Sequence, residues 1–273
     1  MTDIPALVVT LLFESVAMGI LQQDLYPYPY LFPLEDQLLC QTDDGWSSDI
    51  MFNFKFFGNN YTAVYVHANG LLTFTDEGAW SVPKPFPLSI PMIAVFWMDI
   101  ITTTTGQIWY RITNDSDILI RAQTDIANYY DNQTTFQPTS VFTATWLEVP
   151  YYGAEGDDAD KRNTFQVVLM TDGDKSFTMF HYQKIEWAGY PGDYKRKAQV
   201  GFNAGNNTTS YILSNTDHGD IINLERRSNT GVPGKFIFRV DGNGSIPAGD
   251  EIIAAVKKNS KCRECPLISQ HDC

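Results

Sequence analysis

Cysteine is scarce in this sequence, and the few cysteines are unevenly placed. Cys40 lies in the body of the chain, whereas Cys262, Cys265 and Cys273 lie together at its end. A fold built on disulfides would need cysteines throughout. The body must therefore be stabilised by an apolar core, for which 273 residues with 44% apolar composition are sufficient.

Positive charge is also limited. The chain has 19 lysines and arginines against 32 aspartates and glutamates, which gives a formal net charge of -13. A surface of that sign repels phosphate backbones, so we expect no nucleic-acid partner.

The common enzyme signatures are absent. The sequence contains no G-x-S-x-G, H-E-x-x-H, P-loop or G-x-G-x-x-G motif, which excludes the best-known nucleophile, zinc and nucleotide sites. Its histidines are scattered, at His67, His181, His218 and His271. His67 and His181 fall in strand-like segments, where we expect hydrogen-bonded structural roles rather than catalysis. We predict no catalytic residues.

Acidic residues offer two weaker functional interpretations. Asp157, Asp158 and Asp160 could supply the paired carboxyls of a glycosidase, but a glycine-rich loop would leave them solvated, without the raised pKa that an acid catalyst needs. Calcium prefers several oxygens from a flexible loop, and the segments TDGD, GDDAD and VDGNG offer oxygens without the spacing of an EF-hand.

Asp99 is a separate case, because it ends a nearly continuous apolar run. If buried, its carboxylate must be hydrogen-bonded, paired or ligating, and the simplest expectation is that it caps the following turn. We therefore predict no cofactor-binding and no metal-binding residue, and we leave calcium open as a ligand.

The first apolar segment predicts a signal peptide. Residues 4–21 are the most hydrophobic stretch, but Glu14 interrupts them and they barely reach the roughly 20 residues that span a bilayer. Small residues at Ala17 and Gly19 favour cleavage after Gly19. The usual basic residues before the apolar segment are missing, so an uncleaved anchor, a buried helix or an incorrect start are alternatives. We expect no membrane span in the mature chain.

Glycosylation signals point to the same secreted compartment. Asparagines followed two positions later by Ser or Thr are more numerous than the roughly two that chance would give. The candidates are Asn60, Asn114, Asn132, Asn206, Asn207 and Asn243. Polar loops are rich in these residue types anyway, which is the alternative explanation. We expect a secreted, N-glycosylated protein of the extracellular matrix.

Apolar periodicity predicts a mainly β fold. Residues 50–56 alternate apolar and polar side chains, and Asn69-Gly70 supplies the tight turn of a hairpin. Residues 117–131 have helical spacing, with Asp117 as the expected N-cap. About ten short strands with one or two short helices indicate a single β-sandwich or jelly-roll-like domain.

A second hairpin surrounds an acidic turn. In residues 163–182, alternating apolar residues precede and follow Asp172-Gly173-Asp174. Asp-Gly is a strong turn signal, so we interpret these acids as a turn rather than as a metal or catalytic site. The sequence does not fix the loop length, which decides whether the two apolar sets share a face.

Composition divides the chain into five predicted segments. They are a signal peptide (1–19), a Pro/Tyr-rich arm (20–41), the main domain (42–242), a linker (243–261) and the start of a truncated cysteine-rich module (262–273). In a secreted chain the final cysteines favour disulfides, with Cys40 as a candidate partner, over a zinc site that would also use His271.

Several motifs, taken in order, resemble one family. They are DDG (43–45), FFG (56–58), VYVHANGLLTF (64–74), AVFWMDI (94–100), NTFQVVLMTDGDKSFTMFHY (163–182) and GVPGKFIFRVDG (231–242). Over residues 42–242 this set resembles NIDO, the nidogen-like extracellular domain of alpha-tectorin, nidogen and the sushi, nidogen and EGF-like protein. Two departures from the family pattern, HANG at 67–70 and FWMD at 96–99, keep the turn and the aspartate.

The resemblance implies a non-enzymatic matrix or cell-surface protein that acts in cell–matrix adhesion, with matrix proteins or glycans as partners. It carries over no catalytic residues. The alternative is a carbohydrate-binding, calcium-assisted module on a similar fold. In that case Trp80, Trp109 or Trp187 would stack on sugar rings instead of packing in the core.

Overall fold

The computed structural model describes residues 20–28, 36–78, 80–130, 135–190, 197–213, 220–242 and 252–253. Within these ranges the chain forms two antiparallel six-stranded sheets, sheet A and sheet B, which enclose a common apolar core. This confirms the predicted mainly β, sandwich-like fold. The predicted signal peptide and cysteine-rich end lie outside the described residues. In the described part, no helix is long and apolar enough to cross a membrane.

Sheet A brings together strands that are far apart in the chain. In spatial order it contains β1 (Gln37–Leu38), β6 (Gln107–Thr113), β7 (Ser140–Val149), β8 (Asn163–Thr171), β9 (Ser176–Lys184) and β13 (Lys235–Arg239). Strand β8 is buried along its whole length. Both faces of β8 are buried because one face meets sheet B and the other face is covered by further elements of the chain.

Sheet B contains the predicted hairpin and the apolar central strand. Its order is β11 (Ser210–Ile212), β10 (Gln199–Ala204), β5 (Pro91–Trp97), β4 (Leu71–Thr73), β3 (Asn59–His67) and β2 (Ile50–Phe56). Strand β5 is buried throughout, as its continuous apolar run predicts. In β2, Phe52, Phe54 and Phe56 face the core, which confirms the predicted alternation.

The remaining elements are short. Strand β12 (Arg227–Ser228) pairs with β14 (Ile252–Ile253), which lies inside the predicted linker. In the described ranges, three 3₁₀ helices cover Gln22–Asp24, Gly156–Asp158 and Asp220–Arg226.

Aromatic side chains from both sheets fill the space between them. The rings of Phe96 and Phe165 lie with their centroids 5.3 Å apart, in the range where aromatic pairs attract. A hydrogen bond also crosses this core, since the Tyr182 hydroxyl donates to the Val95 carbonyl of the other sheet at 2.7 Å. Apolar burial therefore stabilises the body of the chain, as the scarcity of cysteine requires.

Helix α1 (Ser116–Tyr129) covers part of the outer face of sheet A, where Ala122 and Ile126 pack into a second apolar cluster. The predicted helix is confirmed, but its predicted N-cap is wrong. Asp115 is the cap, because its carboxylate accepts the backbone N–H groups of Asp117 and of the residue after it. The sequence offers two aspartates close together, and only the backbone conformation distinguishes them.

Strand β6 departs from simple alternation. Arg111 is only 6% exposed, whereas the apolar side chain of Ile112 is 36% exposed. Arg111 lies 3.7 Å from the carboxylate of Asp36, so burial of the guanidinium is accompanied by an ion pair. The segment before β1 supplies this partner, which the alternation of β6 alone could not reveal.

The hairpin of β8 and β9 has a four-residue loop, since Thr171 pairs with Ser176. The Asp172 carboxylate accepts the backbone N–H groups of Asp174 and Lys175, which closes the turn and confirms its structural role. With this register the two apolar sets occupy opposite faces. Those of β8 enter the inter-sheet core, and those of β9 lie under helix α1.

Candidate functional site

Three carboxylates meet at one end of the sandwich. Ligand atoms of Asp43, Asp44 and Asp99 all lie within 4.8 Å of one another. Asp43 and Asp44 belong to the DDG loop before β2, and Asp99 follows β5. Sequence analysis singled out the loop and Asp99 separately, and the fold brings them together.

Asn69 holds these two segments in place. Its Nδ2 donates to Asp44 Oδ1 at 2.9 Å, and its Oδ1 accepts the backbone N–H of Ile100 at 2.8 Å. The next residue, Gly70, has a φ of +75°, and a Cβ there would lie 2.1 Å from the Phe96 carbonyl oxygen. The Asn69-Gly70 turn therefore does more than reverse the chain, because it fixes the DDG loop against the end of β5.

Asp99 is nearly buried and is hydrogen-bonded, as its position predicts. It is 9% exposed, and its Oδ2 accepts the Tyr190 hydroxyl at 3.0 Å. Its carbonyl accepts the backbone N–H of Tyr152 at 2.9 Å. These contacts anchor Asp99 to the loops that follow β7 and β9.

Asp43 has the least favourable electrostatic environment of the carboxylates described in this cluster. Its Oδ1 is buried and accepts no hydrogen bond from the described residues. Burial raises the pKa of Asp43, and the neighbouring charge of Asp44 raises it further. Two responses could relieve this repulsion: protonation of Asp43, or a hard cation such as calcium, for which clustered carboxylates are suitable ligands.

The acidic loop considered for glycosidase chemistry has different properties. Asp157 and Asp160 are exposed. Asp158 accepts the Tyr151 hydroxyl at 2.9 Å and forms an ion pair with Lys161. These hydrogen bonds from Lys161 and Tyr151 lower the pKa of Asp158, whereas a glycosidase acid requires a raised one.

Trp46 and His67 form a stacked pair beside the DDG loop. Their ring centroids are 5.7 Å apart, and Trp46 Nε1 donates to Asp76 Oδ1 at 3.0 Å. His67 Nε2 donates to Thr73 Oγ1 at 2.8 Å, since the Thr73 hydroxyl donates its hydrogen to the Thr75 carbonyl. Burial lowers the pKa of His67 to about 4, so its ring is neutral at neutral pH. Trp46 remains 42% exposed.

The tryptophans considered for sugar stacking differ in environment. Trp187 is buried and donates from Nε1 to the Val149 carbonyl, so it packs in the core. Trp80 is partly exposed, but the Lys84 ammonium lies 3.5 Å from its ring centroid. Trp109 is half-buried. Sequence reasoning missed Trp46, although its position directly after the DDG turn was a usable signal.

The predicted modification sites are only partly within the described residues. Asn60, Asn114, Asn206 and Asn207 are exposed, as an N-glycan requires. Asn132 and Asn243 lie outside the described residues. Cys40 is exposed, and its candidate partners Cys262, Cys265 and Cys273 also lie outside.

The family assignment rests on a direct comparison. A family model described as a nidogen-like domain matches residues 62–242, which include Asn69 and Asp99. The chain belongs to the nidogen-like (NIDO) domain family. This confirms the resemblance carried by the ordered motifs, and it makes the chain an extracellular-matrix type of domain.

Individual relatives agree with the family. Alpha-tectorin of Mus musculus is 37% identical over 251 residues, which cover 87% of this chain and 12% of that protein. Nidogen of Drosophila melanogaster is 31% identical over 195 residues, covering 68% of this chain and 14% of the relative. Nidogen-1 of Mus musculus is 30% identical over 210 residues, covering 71% of this chain and 16% of that protein. This NIDO chain thus spans less than a fifth of each relative. No solved structure matches it.

Proposed function

We propose that this NIDO chain is a non-enzymatic adhesion module of a secreted, N-glycosylated matrix or cell-surface protein, and that its partners are extracellular matrix proteins. The single observation that carries the proposal is membership of the nidogen-like domain family. The exposed asparagines of the described sequons support secretion. The lowered pKa of Asp158 argues against acid catalysis in the acidic loop.

Cell attachment tests the adhesion role. Cells are plated on surfaces coated with the purified, secreted protein and on surfaces coated with albumin. We expect more cells to attach to the protein than to albumin. Attachment should be unchanged when a calcium chelator is present with the protein during coating and is washed out before the cells are added. Attachment equal to albumin would contradict the proposal.

Intact-mass and peptide mass spectrometry tests the secretion step separately. We expect a mature chain that begins at Ile20, glycans on at least the exposed sequons, and disulfides that use the cysteines. A chain that begins at Met1 without glycans would contradict secretion. These results do not depend on any adhesive partner, so the two parts of the proposal fail independently.

A carbohydrate-binding function is the second candidate, and Trp46 is the observation that favours it. The ring is partly exposed and is held by His67 and Asp76, and acidic side chains lie close by in the DDG loop. Held aromatic rings next to carboxylates suit sugar recognition. A glycan array tests this: binding that Trp46→Ala abolishes and Trp80→Ala preserves would favour it. No glycan binding, or binding unchanged in Trp46→Ala, would exclude Trp46 as a sugar platform.

A further inference from the structure

Residues 20–28, called the strap below, lie across the outer face of sheet A. Tyr26 is fully buried, and Ile20, Leu25 and Tyr28 form a small apolar cluster against Leu147. Such burial is unusual for a segment at the edge of a domain, since terminal segments are poorly ordered unless they are tied down.

Gln166 of β8 binds the backbone of the strap at two points. Its Oε1 accepts the Tyr26 N–H at 2.8 Å, and its Nε2 donates to the Tyr26 carbonyl at 2.9 Å. Nε2 also donates to Thr145 Oγ1 at 2.8 Å. Gln166 is itself fully buried, so loss of the strap would break these two hydrogen bonds and expose its amide to water.

Helix α1 holds the other side of the strap. Arg121 donates to the Leu25 carbonyl at 3.0 Å and also to the Asp24 carbonyl. Its guanidinium carbon lies 4.1 Å from the Tyr26 ring centroid. The Tyr26 hydroxyl donates to Asp125 Oδ2 at 2.9 Å. The tyrosine thus lies between a cation and a carboxylate of the same helix.

His181 of β9 lies beneath this contact. Its ring centroid is 6.0 Å from that of Tyr26, and its Nδ1 is 3.2 Å from Gln166 Oε1. Because that oxygen can only accept, Nδ1 carries the hydrogen of the neutral ring, and a proton gained in acid would go to Nε2. His181 is therefore part of the same hydrogen-bond network that binds the strap backbone.

Two positive groups near His181 oppose its protonation in the docked state, whereas two nearby carboxylates favour it. Lys235 of β13 and Arg121 of α1 face it, and Asp125 is bound to Lys235 at 2.6 Å. The strap contributes Asp24 to the same pocket. Burial lowers the pKa of His181 well below its usual value, and the charges of Lys235 and Arg121 lower it further.

We propose that the strap is an acid-released latch: burial beneath Tyr26 keeps the His181 ring neutral, so protonation of His181 favours undocking of residues 20–28, which opens the ring to water and separates Gln166 from Tyr26 while the two sheets remain folded. The direction of the pH dependence of docking follows from the neutral state of the His181 ring. The docked state binds fewer protons at His181 than the released state, so docking is favoured at high pH and weakens as pH falls through the usual histidine range. Release exposes the face of sheet A that carries Gln166 and His181.

Hydrogen exchange with peptide-level mass spectrometry tests the latch on the full secreted chain. Exchange is measured from about pH 7 to about pH 5, with rates corrected for the intrinsic effect of pH. We expect protection of residues 20–28 to fall by about tenfold or more, as for a group whose pKa differs by at least one unit between states. Protection of β5 and β8 should stay within about twofold over the same range.

Two histidine variants provide the matched comparison. His181→Gln keeps a polar side chain that cannot be protonated, and we expect it to abolish the pH dependence of strap exchange. His67→Gln removes the second histidine that is buried among the described residues, whose ring contacts Trp46 and Thr73, and should leave the strap's pH dependence unchanged. A wild-type strap whose protection does not change with pH, or a pH dependence that persists in His181→Gln, would overturn the proposal.

Tyr26→Phe keeps the test decisive if His181→Gln does not fold. It removes only the hydroxyl that binds Asp125. We expect a more weakly docked strap whose release begins at higher pH than in the wild type. Release at the same pH as in the wild type would contradict the latch.

Discussion

Gly70 shows how much of the candidate site depends on one residue. Its positive φ is one that side chains adopt at a cost, and a Cβ would collide with the Phe96 carbonyl. The sequence predicted the turn from Asn69-Gly70 but not the second role of Asn69, which binds Asp44 and the backbone of Ile100. That role depends on a contact between segments distant in the chain, which local pattern does not encode.

Gly70→Ala should therefore destabilise the fold by about 3 kcal/mol or more, because strain at positive φ and a backbone clash act together. Gly173→Ala is the matched control: its φ is +94°, but nothing lies within 4 Å of an added Cβ. We expect the control to lose about 1 kcal/mol in the free energy of unfolding. Denaturant unfolding measures both, and equal losses would show that the close approach to Phe96 is unimportant.

Asp43→Asn tests the electrostatics of the carboxylate cluster. The raised pKa of Asp43 means that its ionisation opposes folding, so the native state loses stability as pH rises through that pKa. Removing the charge should raise the melting temperature at neutral pH by about 1–3 °C. The gain should vanish below the usual aspartate pKa of about 4, where the wild-type side chain is protonated.

Asp157→Asn, in the exposed acidic loop, is the control and should leave the melting temperature nearly unchanged. The same scans with added calcium test the ligand left open by the sequence. We predict no calcium-dependent stabilisation of the wild type. A clear increase that Asp43→Asn removes would instead establish a cation site at this cluster.

At the scale of elements, the sequence predicted the type of each secondary-structure element and the alternation within strands better than the pairing register between strands. Period-two patterns identified β2 and the arms of the β8–β9 hairpin, and a continuous apolar run identified β5, because each pattern is local. The faces of that hairpin were not predictable, since they depend on a four-residue loop that the Asp172 side chain closes. The burial of Arg111 was not predictable for a related reason: its partner Asp36 belongs to another segment.

Helix α1 gives a direct test of a corrected element boundary. Asp115→Ala removes the carboxylate that accepts two backbone N–H groups, so it should cost about 1 kcal/mol. Asp117→Ala changes the residue that the sequence predicted as the cap, and we expect a loss of a few tenths of a kcal/mol, from the helix dipole alone. Thermal or denaturant unfolding compares the two, and a larger loss for Asp117→Ala would contradict the assigned cap.

At the scale of the whole molecule, composition and strand count predicted the fold class, and ordered motifs predicted the family. The allocation of strands to two sheets was not predictable, because β1 pairs with β6 and β9 with β13 across long stretches of chain. The candidate site could be predicted only as separate parts, the DDG loop and Asp99. Their convergence, and the exposure of Trp46 next to them, required the fold.

We propose that this NIDO chain binds matrix proteins without catalysis and without a cation. Biosensor measurements of the purified, glycosylated protein against a panel of immobilised matrix proteins test it most directly, with and without chelator and with free glycans as competitors. We expect saturable binding to at least one matrix protein that persists in chelator and is not competed by glycans. Binding to none of the panel, or binding that chelator or free glycans abolish, would contradict it.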